Sequence, residues 1–302
     1  MSEVAPGAPL SAVAPYRQPI AAAIDTLCGR ELPLLGAPVS EAIRYGLTGS
    51  GKRLRGCLFL AAYQAAGGAG DASMLAAAIE VVHAYSLVHD DLPCMDDDDV
   101  RRGRPTVHKV FGVPAATAAG VAMVSLAALA AAEGCGNLGL GTDVTGAIVA
   151  DLMAASGGGG MVGGQLLDLE GENRSLSLLE LERIHRAKTG ALITASATMG
   201  GRAARTTEER VSALRLYGAA VGLAFQIADD VLDVTATTDQ LGKTAGRDVA
   251  LNKSTYPALL GIEGARHRAA ALIDEGCLAL SAVGLLTPEL EEIGRFTIQR
   301  PS

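Results

Sequence analysis

The sequence predicts an all-α fold, and three observations carry that prediction. Ala and Leu, both strong helix formers, dominate a composition that is 49% hydrophobic but only 3% aromatic. Runs of β-branched residues are scarce. Apolar stretches of helical length alternate with Gly- and Pro-containing breaks, with no short-period repeat and no strand pattern. The length suits one large domain, and a single domain over residues 1–302 is expected, with the Ala/Pro-rich residues 1–15 flexible.

Taken in order, Tyr16 to Cys28 reads as a first helix, and Pro33 and Pro38 punctuate the loop after it. Gly46-Leu-Thr-Gly-Ser-Gly-Lys-Arg-Leu-Arg55 precedes an apolar helix from Cys57 to Ala66, which Gly67 to Gly70 breaks. Ser73 to Asp91 is a long helix, interrupted by Pro93. Ala115 to Ala132 is apolar all round but of marginal length, mostly alanine, and without aromatic or basic anchors. It is expected as a buried core helix, not a membrane span. A loop over Gly134–Thr142 leads to a helix ending near Ser156 and a four-glycine run. Met161 to Glu170 is helical and carries Gln165 and Asp168 on one face. Ser177 with Glu180, and Thr206 with Glu209, have capping-box spacing. The first starts a helix to Met199, the second a helix ending in Phe225-Gln-Ile-Ala-Asp-Asp-Val-Leu-Asp233. A Gly- and Lys-containing loop, 242–254, precedes the last helices.

Charge and cysteine usage exclude several classes. A net charge of −8 with no basic stripe argues against a nucleic-acid surface. Five scattered cysteines with no CxxC form neither a disulfide framework nor a zinc site, which suits a reducing cytoplasm. The N-terminus lacks the basic and apolar regions of a signal peptide.

Two acidic motifs carry the chemistry. Asp90, Asp91 and Asp96–Asp99 place six aspartates within ten positions at the end of an apolar helix. Asp229, Asp230 and Asp233 close a second apolar helix, with Asp229 and Asp233 one turn apart on one face. Carboxylates crowded this way repel one another unless cations join them. Oxygen-only donors select hard cations, and Mg2+ characteristically combines one or two carboxylates with substrate phosphates and water. The Gly and terminal Glu of a calcium-binding EF-hand loop are absent. Cationic residues accompany both motifs: Lys52, Arg53 and Arg55 after a Gly-rich loop, Arg101 and Arg102 after the first motif, and Lys188, Lys243 and Lys253 further on. Arginine forks and lysine point charges suit diphosphate contact. Gly46-xxxx-Gly51-Lys52 imitates a nucleotide-binding P-loop, but Arg53 stands where Ser or Thr is needed and no strand precedes it. Asp97 to Asp99 read as a solvated run.

The set Gly51-Lys52-Arg53-Leu54-Arg55, His83, Asp90-Asp91-Leu-Pro-Cys-Met-Asp96, Arg101-Arg102-Gly103, Gly164-Gln165 with Asp168, Lys188-Thr189, Phe225-Gln226 with Asp229-Asp230-Val-Leu-Asp233, Gly242-Lys243 and Lys253-Ser-Thr-Tyr-Pro257 resembles the trans-isoprenyl diphosphate synthases, most of all their bacterial farnesyl-forming members. The likeness covers residues 40 to 260 in order and spacing. It implies a helical bundle around a deep central cavity, a homodimer, and head-to-tail condensation of isopentenyl diphosphate with dimethylallyl and geranyl diphosphate to give farnesyl diphosphate.

By the same resemblance, Asp90, Asp96 and Asp229, supported by Asp91, Asp230 and Asp233, hold Mg2+, three ions with substrate bound, for which Mn2+ is a candidate substitute. Arg101, Lys188, Thr189, Gln226, Lys243 and Lys253 contact the allylic substrate, with Lys188, Thr189 and Gln226 at the reacting centre. Gly51, Lys52, Arg55, His83 and Arg102 belong to the isopentenyl diphosphate site. His83 lies seven residues, two helical turns, before Asp90. Tyr85 at the fifth position before Asp90, together with the inserted Pro93 and Cys94, goes in this family with a fifteen-carbon product; helical geometry alone puts Ser86 nearer the face of Asp90. The alternatives are a geranylgeranyl diphosphate synthase and a non-catalytic prenyltransferase partner subunit. Ser50, Gly56 and Asn252 depart from the family pattern, and Asn252 leaves the role of Lys253 less determined.

Overall fold

In a computed structural model, which describes residues 11, 13–49, 51–235 and 254–299, the all-α expectation holds. The helices are α1 (Ala14–Glu31), α2 (Val39–Leu47), α3 (Leu54–Ala65), α4 (Ser73–Asp90), α5 (Val107–Phe111), α6 (Val113–Asn137), α7 (Thr142–Ser156), α8 (Met161–Glu170), α9 (Leu178–His185), α10 (Ala191–Ala203), α11 (Glu208–Thr235), α12 (Tyr256–Ala282) and α13 (Pro288–Gln299). Strand is confined, among the described residues, to a two-residue antiparallel ribbon pairing Val100 with Pro105 and Arg101 with Arg104.

Helix α4 is apolar around its circumference and buried along nearly its whole length, as an all-round apolar helix must be. It packs on α6, α3 and α1, while α11 packs on α10 and α12. One contiguous core joins Val13 near the N-terminus to Ile293 in α13. Alanine-lined surfaces let helix axes approach closely, and both acidic motifs sit at the C-terminal ends of the two most buried long helices, α4 and α11.

The structure corrects four local expectations. Helix α6 runs on to Asn137, into the first part of the predicted loop, because Gly134 lets it touch α4: a Cβ there would lie 2.8 Å from Leu75 Cγ and 2.9 Å from the Leu75 nitrogen. That helix is also not buried all round; Val121 and Leu129 are 61% and 56% exposed on its outer face. Helices α6 and α11 are each long and apolar enough to cross a membrane by composition, and each packs one face into the bundle. The expected helix from Ser177 to Met199 begins with the predicted capping box but is interrupted by a π-helical turn, Arg186–Gly190. Helix α11 is capped by Thr207, whose Oγ1 accepts from the Arg210 N–H, and not by Thr206 with Glu209.

Candidate active site

Asp90 is the last residue of α4, and the loop after it folds back so that the Asp96 N–H donates to the Asp90 carbonyl at 2.8 Å. Asp90 is only partly exposed. Burial pushes its carboxyl up to about 6; Lys188 opposes that rise, and Asp96 and Asp91 add to it. Asp91 is buried and paired with Arg101, whose Nε lies 2.7 Å from Oδ1. Arg101 also reaches Asp98 at 3.4 Å, so it ties the acidic loop to the ribbon.

The π turn connects the two acidic motifs. Lys188 Nζ donates to Asp168 on α8 at 2.7 Å. Burial alone would lower the lysine pKa, but Asp168, Asp96 and Asp90 hold it above its usual value. Thr189, the next residue, donates to Gln226 Oε1 on α11 at 2.8 Å. Gln226 in turn donates to Asp230 at 3.3 Å. A π turn points consecutive side chains differently from an α turn, which here sends Lys188 toward the first motif and Thr189 toward the second. The turn is wedged between two glycines: a Cβ on Gly164 would lie 2.1 Å from the Lys188 nitrogen, and one on Gly222 2.7 Å from Gly190 Cα.

Asp230, the expected supporting ligand, bonds to three neighbours. It is buried and accepts hydrogen bonds from Gln226, from the Tyr256 N–H at 3.0 Å, and from His185 at 3.2 Å. Its carboxylate therefore orients Gln226 and joins α11 to the start of α12. Asp229 and Asp233 lie on the same helix, Asp233 buried.

A second cationic group surrounds His83. Arg53 caps α3 in the left-handed region at φ 52, donates to the Leu47 carbonyl at 2.5 Å and pairs with buried Glu80 at 3.7 Å. Glu80 also accepts the Gly56 N–H at 2.9 Å. Gly51 lies against Arg102; a Cβ on it would be 2.6 Å from the Arg102 Nη1. Burial drives the His83 pKa well below 6.5, and Arg55, Arg102, Arg101 and Arg53 add to that, so the ring is neutral. Gly51, Arg55, His83 and Arg102 thus come together. Lys52 is exposed at the edge of this group and lies over the Phe296 ring.

Tyr85 is buried, donates to the Ser156 carbonyl at 3.0 Å, and meets the His89 ring edge-on at 5.9 Å between centroids. Ser86 is buried too, but its hydroxyl turns back to the His83 carbonyl at 2.8 Å. Ligand atoms of Asp97, Asp99 and His108 lie within 4.8 Å of one another, but Asp97 and Asp99 are exposed and Lys109 pairs with Asp99 at 2.7 Å. Lys243 and Lys253 lie outside the described residues. Sequence reasoning missed Glu80 and His185, since an isolated Glu or His in a helix carries no pattern. It placed Gln165 and Asp168 on one face without a role; Gln165 is buried with neither amide atom hydrogen-bonded.

The donors of the first motif and of Asp229 are all carboxylate oxygens, the set a hard divalent cation takes. The raised Asp90 carboxyl marks a place where added positive charge is stabilising. Helices enclosing two acidic motifs bridged by Lys188 and Thr189 beside a cationic group define the class: an all-α bundle with an acidic and a cationic wall side by side. The sequence profile of the polyprenyl synthetase family matches residues 37–277, and the chain belongs to that family. It is 44% identical over 274 residues to farnesyl diphosphate synthase of Escherichia coli strain K12, covering 89% of this chain and 91% of that one. It is also 44% identical over 238 residues to geranylgeranyl pyrophosphate synthase 9 of Arabidopsis thaliana, covering 78% and 66%. Among solved structures, a geranyltransferase from Helicobacter pylori, complexed with magnesium and isoprenyl diphosphate, superposes with a TM-score of 0.79 at 31% identity, covering 97% of each chain.

Two outcomes follow from this geometry. Gly164→Ala forces the π turn aside, so turnover should fall by about a hundredfold, the usual scale for a displacement near 1 Å; steady-state rates on Gly164→Ala and on Gly159→Ala, where a Cβ meets nothing within 4 Å, measure the effect. His83 is neutral when folded and takes a proton at about pH 6.5 when unfolded. Its depressed folded pKa stabilises the protein above that pH and the contribution is lost as pH falls below it. The loss approaches about 1.4 kcal/mol per pH unit, and urea midpoints from pH 7.5 to 5.5 should show a shallower dependence in His83→Gln.

Proposed function

We propose that the chain is a prenyltransferase that condenses isopentenyl diphosphate head-to-tail with dimethylallyl and then geranyl diphosphate, forming farnesyl diphosphate by ionisation, condensation and elimination. The single observation that carries this reading is the bridge formed by the π turn, with Lys188 beside Asp90 and Asp96 and Thr189 bonded to Gln226.

In this reading Asp90, Asp96 and Asp229, supported by Asp91, Asp230 and Asp233, hold Mg2+, three ions when substrate is present, with Mn2+ able to substitute. Bound Mg2+ supplies positive charge that offsets the departing diphosphate and so favours ionisation of the allylic C–O bond. Lys188 and Arg101, with Lys243 and Lys253 from outside the described residues, contact the same diphosphate. Asp91 keeps Arg101 in place, and Asp168 does so for Lys188. The side-chain oxygens of Thr189 and Gln226 offer dipoles to the allylic cation in a site from which water is excluded. Lys52, Arg55, His83 and Arg102 hold isopentenyl diphosphate, with Gly51 leaving room for Arg102. Neutral His83 contributes a hydrogen bond there without a charge. The double bond of isopentenyl diphosphate attacks the allylic carbon, and the proton lost afterwards goes to the released diphosphate.

A cytoplasmic, single-domain homodimer belongs to this reading. The uncovered apolar face of α6, with Val121 and Leu129, supports a second copy as its cover. Geranylgeranyl diphosphate synthesis is the competing reading, and buried Tyr85 favours the shorter product, because its ring is pinned between the Ser156 carbonyl and His89.

Incubation with dimethylallyl diphosphate, isopentenyl diphosphate and Mg2+, followed by product analysis, is expected to yield the fifteen-carbon diphosphate. Absence of Mg2+-dependent diphosphate release would favour the non-catalytic partner role instead. In Tyr85→Ala the product distribution should shift to twenty carbons or more; an unchanged length would remove Tyr85 as its determinant.

A further inference from the structure

We infer that His89 is a positioning residue for product length: wedged over Gly120 of α6, it backs the Tyr85 ring, so α6 as well as α4 sets how long a chain the site accepts. This rests on the assignment of product length to Tyr85. Tyr85 and His89 are four residues apart, one turn along the same face of α4. Their rings meet at 80° between planes with 5.9 Å between centroids. In that arrangement the positive edge of one ring faces the negative face of the other.

His89 is held from outside its own helix. Its Nε2 lies 3.1 Å from the Thr117 carbonyl on α6. A carbonyl only accepts, so Nε2 carries the proton and donates. Nearly one turn further along α6, Gly120 is buried and leaves the space that the imidazole fills. A Cβ on Gly120 would overlap His89 Nε2 and Cδ2 and lie 2.8 Å from Cε1. Any side chain at position 120 therefore drives the ring out of its slot. The other end of Tyr85 is fixed by α7, where its hydroxyl donates at 3.0 Å to the carbonyl of Ser156, the last residue of that helix. Carbonyls in a last helical turn lack an intrahelical donor, so the phenol satisfies an acceptor that the helix end leaves open. The Tyr85 side chain thus spans two helices, held by α7 at its oxygen and by α6, through His89, at its ring. With the ring support removed, the hydroxyl is a single tether about which the ring pivots, and the space it closes off deepens.

The test is product analysis on the full chain with dimethylallyl diphosphate, isopentenyl diphosphate and Mg2+, reading the ratio of twenty- to fifteen-carbon product. A general loss of folded or active protein lowers both products together, so a merely structural role does not move the ratio. His89→Ala and Gly120→Ala are each expected to raise it by about three- to tenfold, the scale of one aromatic pair. In the Tyr85→Ala background His89→Ala should add nothing. An unchanged ratio in His89→Ala or in Gly120→Ala overturns the inference, while longer products from Tyr85→Ala leave the assignment of Tyr85 intact. A further rise of the same size in the Tyr85→Ala background also overturns it, because His89 then acts on its own. An unchanged product in Tyr85→Ala overturns the assignment itself, and the inference with it. Thermal melts accompany each variant; should Gly120→Ala fail to fold, His89→Ala and His89→Asn, which both remove the ring, decide the matter.

Discussion

Like-charge crowding at the end of α4 is the constraint on which the rest of the site depends. Asp90, Asp91 and Asp96 are drawn together at the rim of an apolar bundle, where charge separation is weakly screened. Two cations sit among them. Arg101 is committed to Asp91, and Lys188 is shared between Asp168 and the first motif. Asp90 is left with a carboxyl raised to about 6, a strain that the divalent cation of the proposed reaction would relieve. An apolar residue at any of these positions would relieve it more simply, and the proposed reaction gives the carboxylates their reason.

The neighbouring group inverts the pattern. Arg53, Arg55, Arg101 and Arg102 surround a histidine that burial and their fields keep neutral. Glu80 balances the innermost of them through Arg53 and also caps the start of α3. One carboxylate thereby sets both the loop conformation and the local charge. The two groups touch through Arg101 and Arg102, adjacent residues at a tight antiparallel turn, which explains how one short ribbon serves two different diphosphates in the proposed reaction.

Much of this was legible in the chain, and the failures have identifiable causes. The extents of α4 and α8 followed from apolar periodicity and from breaks at Pro and Gly. The extent of α6 did not, because a glycine reads locally as a helix end, whereas Gly134 is there to admit Leu75 from another helix. The π turn was invisible as well: nothing in Arg186–Gly190 differs from an α-helical run, and only clamping by Gly164 and Gly222 shows why an extra residue fits. The hydrogen bonds that Asp230 accepts from Gln226, the Tyr256 N–H and His185 follow no sequence pattern and were not legible either.

By itself the sequence determined the all-α class, the two acidic motifs and the residue types able to handle a metal–diphosphate complex. These depend on local propensity, period and spacing, which are properties of the chain. Tertiary structure alone decided that Asp91 pairs with Arg101, that Lys188 and Thr189 point to different walls, and that Phe296 reaches Lys52 from the far end of the chain. Each is a contact between distant segments, set by how closely helices can approach and by what else competes for the same polar atom.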